Sequence, residues 1–205
     1  MGKSVLVTTG ATVTFKSLIQ TILTPDFINQ LISLGVTELT FQYGNEIKKS
    51  KHISKSVFED QIAILSKSMD FTSSHNSEDN TVVYKHKGFE ILAFPYSSNI
   101  DEYITIADIV ISHAGTGSII DVLKQQKKLI VVVNEKLMDN HQLEIANEFS
   151  DLKYCLSFAN TKALTYDSFW NGFASLLNDE IKLETLPETD GSIVETIICE
   201  ELDIY

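Results

Sequence analysis

The sequence contains no arginine: its sixteen basic residues are all lysines, and 28 acidic residues give the 205-residue chain a formal charge of −12. So acidic a chain lacks the basic surface that nonspecific binding to nucleic acid or to anionic lipid requires. Because there is no guanidinium group, a bound diphosphate would have to be held by backbone N–H groups, hydroxyl groups or a lysine.

Cysteines are scarce and long apolar runs are absent. Cys155 and Cys199 match no metal-binding or redox spacing, and no signal peptide is recognisable. We therefore expect two packed thiols in a reducing compartment. The histidines show no metal-ligand spacing either. No apolar run reaches the roughly 18–20 residues of a membrane helix, so we expect that the chain does not span a bilayer by itself.

What is present is an alternation of short apolar runs with helical patterns. This alternation predicts an α/β fold with a Rossmann-like, mostly parallel sheet. Two strand-like runs at 81–84 and 90–94 are separated by Lys87-Gly88, which predicts a hairpin. The hairpin would add an antiparallel component to one end of the sheet.

The size of the chain favours a single domain, which we place at residues 1–177. Within it, residues 45–80 are predicted to be a surface insertion with a lysine-rich start, an amphipathic helix over 57–69 and a turn-like or disordered stretch at 73–80. Residues 178–205 form an acidic tail. Apolar residues at helical spacing predict an amphipathic helix over 192–205, which either packs on the sheet or docks on another protein.

The most informative stretch is DIVISHAGTGSIID at 108–121. It begins as a buried strand, breaks at Gly115-Thr116-Gly117-Ser118 and continues as a helix. A helix that starts at such a turn presents free N–H groups and the positive end of its dipole, which favours a phosphate. The first strand, with Gly10-Ala11-Thr12 after it, repeats this pattern.

Ligands of open α/β sheets bind at the carboxyl ends of strands, near the point where the strand order reverses. Asp121 stands two turns into the helix of the 108–121 stretch, where its carboxylate suits the hydroxyls of a ribose. A third loop carries Asn140, His141 and Gln142 after the run LIVVV, and these side chains suit the hydroxyls of a sugar.

Spacing alone leaves alternatives open. The glycines also fit ordinary turns, and Ile120 occupies the third glycine position of the dinucleotide fingerprint, which disfavours an NAD-dependent enzyme. No Walker lysine and no G-x-S-x-G motif is present. His113 beside Ser112 fits a general base, and it equally fits a strand-end histidine held by a backbone carbonyl.

Two segments, SHAGTGSIIDVL (112–123) and LIVVVNEKLMDNHQLEIA (129–146), carry a more specific signal. They resemble the donor half of the family that adds the second N-acetylglucosamine (GlcNAc) to dolichol diphosphate. This family comprises the small catalytic subunits of the endoplasmic-reticulum UDP-GlcNAc transferase, which are related to bacterial MurG-type transferases. The opening VLVTTGATVTF (5–15) resembles the family's first glycine loop.

The resemblance implies the C-terminal (donor) half of a GT-B glycosyltransferase and an inverting β-1,4-N-acetylglucosaminyltransferase. Asp121 stands where the bacterial relatives have a glutamate that holds the uridine ribose. His141 and Gln142 stand where they have two glutamines that bind the sugar. The implied donor-binding residues are Gly10, Ala11, Thr12, Gly115, Thr116, Gly117, Ser118, Asp121, Asn140, His141 and Gln142.

GT-B enzymes of this kind use two Rossmann-like domains, whereas one is recognisable here. The resemblance therefore implies that a membrane-anchored partner subunit holds the acceptor, GlcNAc-diphosphodolichol. It also implies a cytoplasmic chain that is peripheral on the cytosolic face of the endoplasmic reticulum. UDP-GlcNAc is the donor substrate, and no cofactor or metal is expected. The general base is either His113 or a group of the partner. The alternative function is a noncatalytic nucleotide-binding regulatory protein.

Overall fold

One eight-stranded sheet organises the molecule in a computed structural model, which describes residues 2–76, 81–135 and 141–187. The strand order is β10-β9-β8-β1-β2-β7-β6-β5. The strands from β10 to β7 are parallel, and the last two pairs are antiparallel. The strands are β1 (Lys3–Thr8), β2 (Val36–Gln42), β3 (Ile47–Lys48), β4 (Lys51–His52), β5 (Thr72–Asn76), β6 (Thr81–His86), β7 (Phe89–Phe94), β8 (Ile109–His113), β9 (Lys128–Val132) and β10 (Leu156–Phe158).

The predicted mostly parallel α/β sheet and its hairpin are confirmed. β6 pairs with β7 in antiparallel register, and β7 joins the parallel part of the sheet beside β2. The separate pair of β3 and β4 is a two-residue antiparallel ribbon.

Helices cover both faces of the sheet, and this double cover explains the continuous apolar runs of the central strands. In β1, Val5 and Val7 pack on one face while Leu6 packs on the other, and all three are buried. The helices are α1 (Lys16–Ile22), α2 (Pro25–Ser33), α3 (Ile53–Met69), α4 (Ile100–Ile106), α5 (Thr116–Lys124), α6 (His141–Asp151) and α7 (Asp167–Leu177), with a 3-10 helix at Thr161–Thr165.

Residues 45–80 are not the surface insertion that the sequence predicts. The helix α3 begins earlier than expected, and Phe58, Ile62 and Leu65 on it belong to the larger core cluster together with residues of α1, α2 and α7. Its apolar side chains cover one face of the sheet, so the segment is part of the fold.

The polar stretch that the sequence predicts to be turn-like at 73–80 is also different. β5 pairs along its whole length with β6, from Thr72 opposite Lys85 to Asn76 opposite Thr81. The strand lies at the edge of the sheet, where hydrogen bonds between backbones suffice and no apolar face is needed. The remainder of the stretch, at 77–80, lies outside the described residues.

The first part of the acidic tail returns to the domain. Ile181 and Leu183 pack against the larger core cluster, and the backbone N–H of Glu184 donates to the carbonyl of Lys153 at 2.9 Å. Asp179 lies 2.8 Å from Lys128, the first residue of β9. This contact is at the end of β9 opposite the glycine-bearing loops. The helix predicted over 192–205, with Cys199, lies outside the described residues.

The expectations about the cysteines and about membrane helices can be compared with the described residues. Cys155 is a buried free thiol in the second core cluster, and burial raises its pKa to about 12. Across the described ranges, no helix combines the length and the apolar character that a membrane crossing needs.

Candidate functional site

The strand order reverses between β1 and β8. The chain leaves β1 for helices on one face of the sheet and leaves β8 for α5 on the other face, because α1 and α2 belong to one core cluster and α5 to the other. The two strands run parallel and end side by side, with Thr8 opposite Ser112. Such a reversal opens a crevice at the carboxyl ends of the strands, which is where ligands of open α/β sheets bind.

The loop after β1 forms one wall of this crevice. Gly10 has a φ of +82°, a left-handed conformation that side chains disfavour. The loop is tied to its neighbour across the sheet, since the N–H of Thr9 donates to the carbonyl of Gln42 at 3.2 Å. The N–H of Asn45 donates to the carbonyl of Ala11 at 2.8 Å. The segment that follows β2 therefore holds this loop in place.

A buried carboxylate completes the attachment. Oε2 of Glu46 accepts from the N–H of Thr14 at 3.0 Å, and its Oε1 lies 2.6 Å from Nζ of Lys48. The N–H of Glu46 donates to Oγ of Ser54 at 3.0 Å, and the hydroxyls of Ser54 and Thr14 are 2.8 Å apart. The hydrogen bonds from Lys48 and Thr14 lower the pKa of Glu46 to about 2. This network joins the glycine loop to α3.

The Glu46→Gln variant is expected to lose about 1–2 kcal/mol of unfolding free energy at pH 7, because the lost charge weakens two hydrogen bonds. The pKa of Glu46 is lower in the folded chain than its ordinary value of 4.5. The contribution of the Glu46 carboxylate to the unfolding free energy is therefore present in full above pH 4.5 and is lost as the pH falls through about 2. Urea unfolding at pH 7, pH 4 and pH 3 measures the difference in unfolding free energy between the wild-type chain and the variant. This difference should become smaller as the pH falls.

Glu59→Gln is the matched control, since Glu59 is an exposed carboxylate of α3 that lies 3.8 Å from Lys55. Exposed pairs of this kind contribute little to stability. An equal loss in both variants, or a difference independent of pH, would contradict the role of Glu46.

His113, the candidate general base, lies between the two glycine loops. A Cβ placed on Gly115 would be only 2.2 Å from Nε2 of His113, and a Cβ on Gly10 would be 2.8 Å from the same atom. Both positions therefore need glycine because the imidazole occupies the space. The side chain spaces the loops that follow β1 and β8.

The environment of His113 makes it a weak base. Burial lowers the pKa of its imidazole to about 4, and the interaction with the backbone of Thr8 offsets this only in part. General bases work best with a pKa near the working pH. An imidazole with this pKa is neutral and binds a proton weakly at pH 7, whereas its close approach to Gly10 and Gly115 suits a spacing role.

The start of α5 forms the second wall of the crevice. Gly115 is the N-cap residue, and no side chain caps this end of the helix. The first turn consists of Thr116, Gly117 and Ser118, whose N–H groups precede the first intrahelical hydrogen bonds. A bare helix start with these small residues suits the negative charge of a phosphate, as the sequence predicts.

A cleft of about 290 Å³ lies between the loop after β1, the start of α5 and the end of β7. Four predicted donor-binding residues line it, namely Gly10, Ala11, Ser118 and Asp121. The structure thus brings residues that are more than 100 positions apart in the sequence to one cavity.

Other residues of this cleft escape the sequence analysis. The carboxyl end of β2, the segment between β7 and α4 and the first turn of α4 supply them. Parallel strands end at the same edge of a sheet, so the polar residues that follow the predicted strand at 90–94 could have been assigned to the cleft from the sequence. The additional lining residues include Gln42, Tyr96, Ser97, Ile100 and Asp101.

The two carboxylates of the cleft, those of Asp101 and Asp121, differ in their hydrogen bonding. Oδ1 of Asp101 accepts from the side-chain amide of Gln125 at 3.0 Å. Asp121 is exposed, and among the described residues no hydrogen bond or ion pair to its carboxylate is found. Asp121 is therefore the carboxylate that can receive hydrogen bonds from a ligand without breaking a contact.

A second, smaller cavity of about 100 Å³ lies on the other side of the loop after β1. Gly10 and Ala11 line both cavities, and here they are joined by Thr12, His113 and Gln142. Nδ1 of His113 and Oε1 of Gln142 are buried without a hydrogen-bond partner in the part of the chain that the structure describes.

The remaining predicted site residues fall elsewhere. Gly115, Thr116 and Gly117 form the start of α5 and line neither of these two cavities. The backbone of His141 begins α6, while Asn140 lies outside the described residues. Within the described ranges, no cluster of three or more His, Cys, Asp or Glu side chains suits a metal ion.

A doubly covered, mostly parallel sheet with a glycine-bearing crevice at its switch point is the architecture of the Rossmann-like α/β proteins. Residues 4–167 match the glycosyltransferase family 28 C-terminal domain, and the chain belongs to this family. It is 50% identical to the UDP-N-acetylglucosamine transferase subunit ALG13 of Candida albicans, over 98% of this chain and 74% of that protein.

Solved structures agree with this assignment. An NMR structure of ALG13 is similar with a TM-score of 0.68 and 28% identity, over 96% of both chains. MurG of Acinetobacter baumannii is similar with a TM-score of 0.56 over 88% of this chain and 42% of that one. At 15% identity, the MurG likeness shows the fold alone. The chain therefore has the fold of the donor half of a GT-B glycosyltransferase.

Proposed function

We propose that the chain is the donor-binding, catalytic subunit of an inverting transferase that moves GlcNAc from UDP-GlcNAc to GlcNAc-diphosphodolichol with a β-1,4 linkage. The observation that carries the proposal is the cleft at the switch point, which is lined by an unengaged Asp121 and by Ser118 in the uncapped first turn of α5. The ribose of a nucleotide would donate hydrogen bonds to the carboxylate of Asp121, and its diphosphate would accept hydrogen bonds from the N–H groups at the start of α5. The relationship to proteins named UDP-N-acetylglucosamine transferase subunits supports the choice of donor.

In this mechanism, the 4-hydroxyl oxygen of the acceptor forms a bond to the anomeric carbon. The bond from that carbon to the phosphate oxygen breaks, and UDP leaves with the electron pair. The N–H groups of residues 116–118 stabilise the negative charge that develops on the departing diphosphate. Inversion follows because attack and departure take place on opposite faces of the sugar.

The proton of the acceptor hydroxyl needs a base. With a pKa of about 4, His113 is poorly suited to accept it at neutral pH. We place the general base on the partner subunit, since that subunit would hold the acceptor oxygen. His113 then acts as a positioning residue between the two glycine loops.

The proposal includes a membrane-anchored partner that supplies the acceptor side. GT-B enzymes place the active site between two Rossmann-like domains, and residues 4–167 match one such domain. The relatives are named subunits, which supports an assembly. Through this partner, the chain would be peripheral on the cytosolic face of the endoplasmic reticulum.

The decisive experiment follows radiolabelled GlcNAc from UDP-GlcNAc into GlcNAc-diphosphodolichol, with this chain and the membrane partner supplied separately and together. Product is expected only when both are present. If the chain binds UDP-GlcNAc but the complete mixture makes no product, a regulatory nucleotide-binding protein is the better description. Transfer by the chain alone would refute the requirement for the partner.

Deleting residues 192–205 is expected to release the chain from membranes into the soluble fraction. The apolar positions of this segment, Ile193, Val194, Ile197, Ile198 and Leu202, are spaced to form one face of a helix that docks on the partner. Fractionation of cells that express both subunits measures the distribution. Membrane association that persists after the deletion would place the docking surface elsewhere.

A further inference from the structure

A third cavity, of about 730 Å³, lies on the face of the sheet that α3 covers. We call it the tyrosine groove, because Tyr43, Tyr84 and Tyr96 line it. Tyr43 directly follows β2 and Tyr96 lies shortly after β7, so the groove opens at the same edge of the sheet as the cleft at the switch point. Tyr96 lines both spaces. The volume of the groove falls within the range of about 300–1,000 Å³ that ligand pockets have.

The groove contains a tyrosine hydroxyl without a partner. Tyr43 is only 6% exposed, and its ring stacks on that of Phe58 with the centroids 4.5 Å apart. Among the described residues, no hydrogen bond to its hydroxyl is found. Burial, with smaller contributions from Glu59 and Tyr84, raises the pKa of Tyr43 to about 12. Because both of these residues line the groove, the hydroxyl faces that space, and it stays protonated as a donor at neutral pH.

Basic side chains from three different elements line the same groove. They are Lys55 of α3, His52 of β4 and His75 of β5. The surrounding segment 45–55 carries four lysines against one glutamate, in a chain whose total charge is −12. Glu59 is the acidic residue among the described lining residues, and its carboxylate lies 3.8 Å from Nζ of Lys55. An anion that approaches this acidic protein therefore meets a locally basic surface at the groove.

The lining suits a ligand that combines a sugar with phosphate groups. An aromatic ring such as that of the exposed Tyr96 can pack against the apolar face of a sugar, while hydroxyl, imidazole and ammonium groups donate to phosphate oxygens. In the proposed reaction, both substrates have this chemistry. The diphosphate of the donor already has a place at the start of α5, on the opposite face of the sheet. The sugar diphosphate of the lipid acceptor is the one that still lacks a site on this chain.

We propose that the tyrosine groove binds the sugar-diphosphate head of the lipid acceptor, so that this chain holds part of both substrates. The inference rests on the proposed function, because it needs a lipid-linked sugar diphosphate as the acceptor. The hydroxyl of Tyr43 and the ammonium group of Lys55 donate to phosphate oxygens. Tyr96 lies between the two substrates, since it lines both the groove and the cleft. The partner subunit then holds the lipid chain and supplies the general base.

Substitution of Tyr43 by phenylalanine tests the assignment, because it removes the hydroxyl and keeps the ring that stacks on Phe58. In the assembled complex, the KM for GlcNAc-diphosphodolichol is expected to rise about tenfold, the effect of losing one hydrogen bond to a charged group. The KM for UDP-GlcNAc and the kcat should stay the same, since the lost contact is to the acceptor and is made before and during the reaction. Initial rates at varied concentrations of each substrate measure all three constants.

Tyr154→Phe is the matched control, because Tyr154 is a buried tyrosine of the second core cluster, on the opposite face of the sheet. It should alter neither KM. If Tyr43→Phe leaves the KM for the acceptor unchanged, or raises both KM values alike, the inference is wrong, while transfer by the wild-type complex still supports the proposed function. Loss of the partner from the purified variant complex would make the groove a docking surface and would also overturn the inference. No transfer by the wild-type complex would instead refute the proposed function.

A second measurement does not depend on any variant. The full wild-type chain is titrated with GlcNAc-diphosphate on a short isoprenyl chain, and the NMR signals of the histidine ring protons are followed. The signals of His52 and His75 are expected to shift. Those of His86 should not, because its ring packs against Phe71, with the centroids 5.2 Å apart, at the other end of β6. Unchanged signals of His52 and His75 would overturn the inference. So would equal shifts with UDP-GlcNAc, which would assign the groove to the donor, or with isoprenyl phosphate, which lacks the sugar.

Discussion

Replacing Gly115 with alanine is expected to lower the unfolding free energy by about 3 kcal/mol and to reduce transfer by about 100-fold or more. The new Cβ would lie 2.2 Å from Nε2 of His113, well inside van der Waals contact. Overpacking of a buried site costs about 1–3 kcal/mol. We expect a cost at the upper end of this range because Gly10 also lies close to the imidazole, which leaves the ring little room to move away from the new Cβ. Displaced loops would misplace the donor, and errors of about 1 Å cost about 100-fold.

The same motif supplies a control for stability. A Cβ on Gly117 meets nothing within 4 Å, and alanine suits a helix better than glycine by about 1 kcal/mol. Gly117→Ala is therefore expected to preserve or raise the unfolding free energy. Urea denaturation of both variants measures the contrast. If the two variants lose equal stability, the motif tolerates no side chain at either position, and contact with His113 is not the cause of the loss at position 115.

A double-mutant cycle identifies the cause of the clash. In a His113→Ala background the imidazole is gone, so Gly115→Ala should cost far less than it does in the wild-type chain. Contacting residues couple by about 0.5–3 kcal/mol, and we expect a value near the upper end. Additive losses would mean that Gly115 is needed for its backbone alone.

Replacing Asp121 with alanine is expected to weaken UDP-GlcNAc binding by about 10–100-fold with the fold intact. Hydrogen bonds to a charged group are worth about 1.5–3 kcal/mol, and the exposed carboxylate has no partner to lose among the described residues. Titration with UDP-GlcNAc gives the affinity, and thermal unfolding checks the fold. Transfer by the assembled complex should fall in parallel.

Asp60→Ala, on the exposed side of α3, is the control for the loss of one negative charge. It changes the net charge equally, so an effect of general electrostatics would appear in both variants. Unchanged affinity and kinetics in Asp121→Ala would remove this residue from the site. A larger effect at Asp101 would assign the ribose to the other carboxylate of the cleft.

The fold was largely readable because the central strands carry their own signal. Strands buried on both faces are continuous apolar runs, and the runs of β1, β8 and β9 appear as such in the sequence. The hairpin of β6 and β7 was readable from Lys87-Gly88. β5 was not, because its sequence TSSHN has no apolar face and the strand is held by backbone pairing with β6.

The site was readable only in part. Small and polar residues after strands, such as Gly10 and Ser118, mark loops at the carboxyl edge of the sheet. Tyr96 and Gln42 carry no such mark. They line the cleft because β2 lies beside β1 in the sheet and β7 lies beside β2. Sheet order depends on long-range pairing, which a local pattern does not encode.

The sequence by itself determined the class of fold, the glycine loops and the family, because strand burial, helix starts and loop motifs are properties of neighbouring residues. Only the tertiary structure decided the state of His113 and the role of residues 45–80. Burial between the loops after β1 and β8 lowers the pKa of the imidazole to about 4, and one face of α3 is buried because it packs against α1 and the sheet. Burial is produced by distant segments, so it is determined only when the chain is folded.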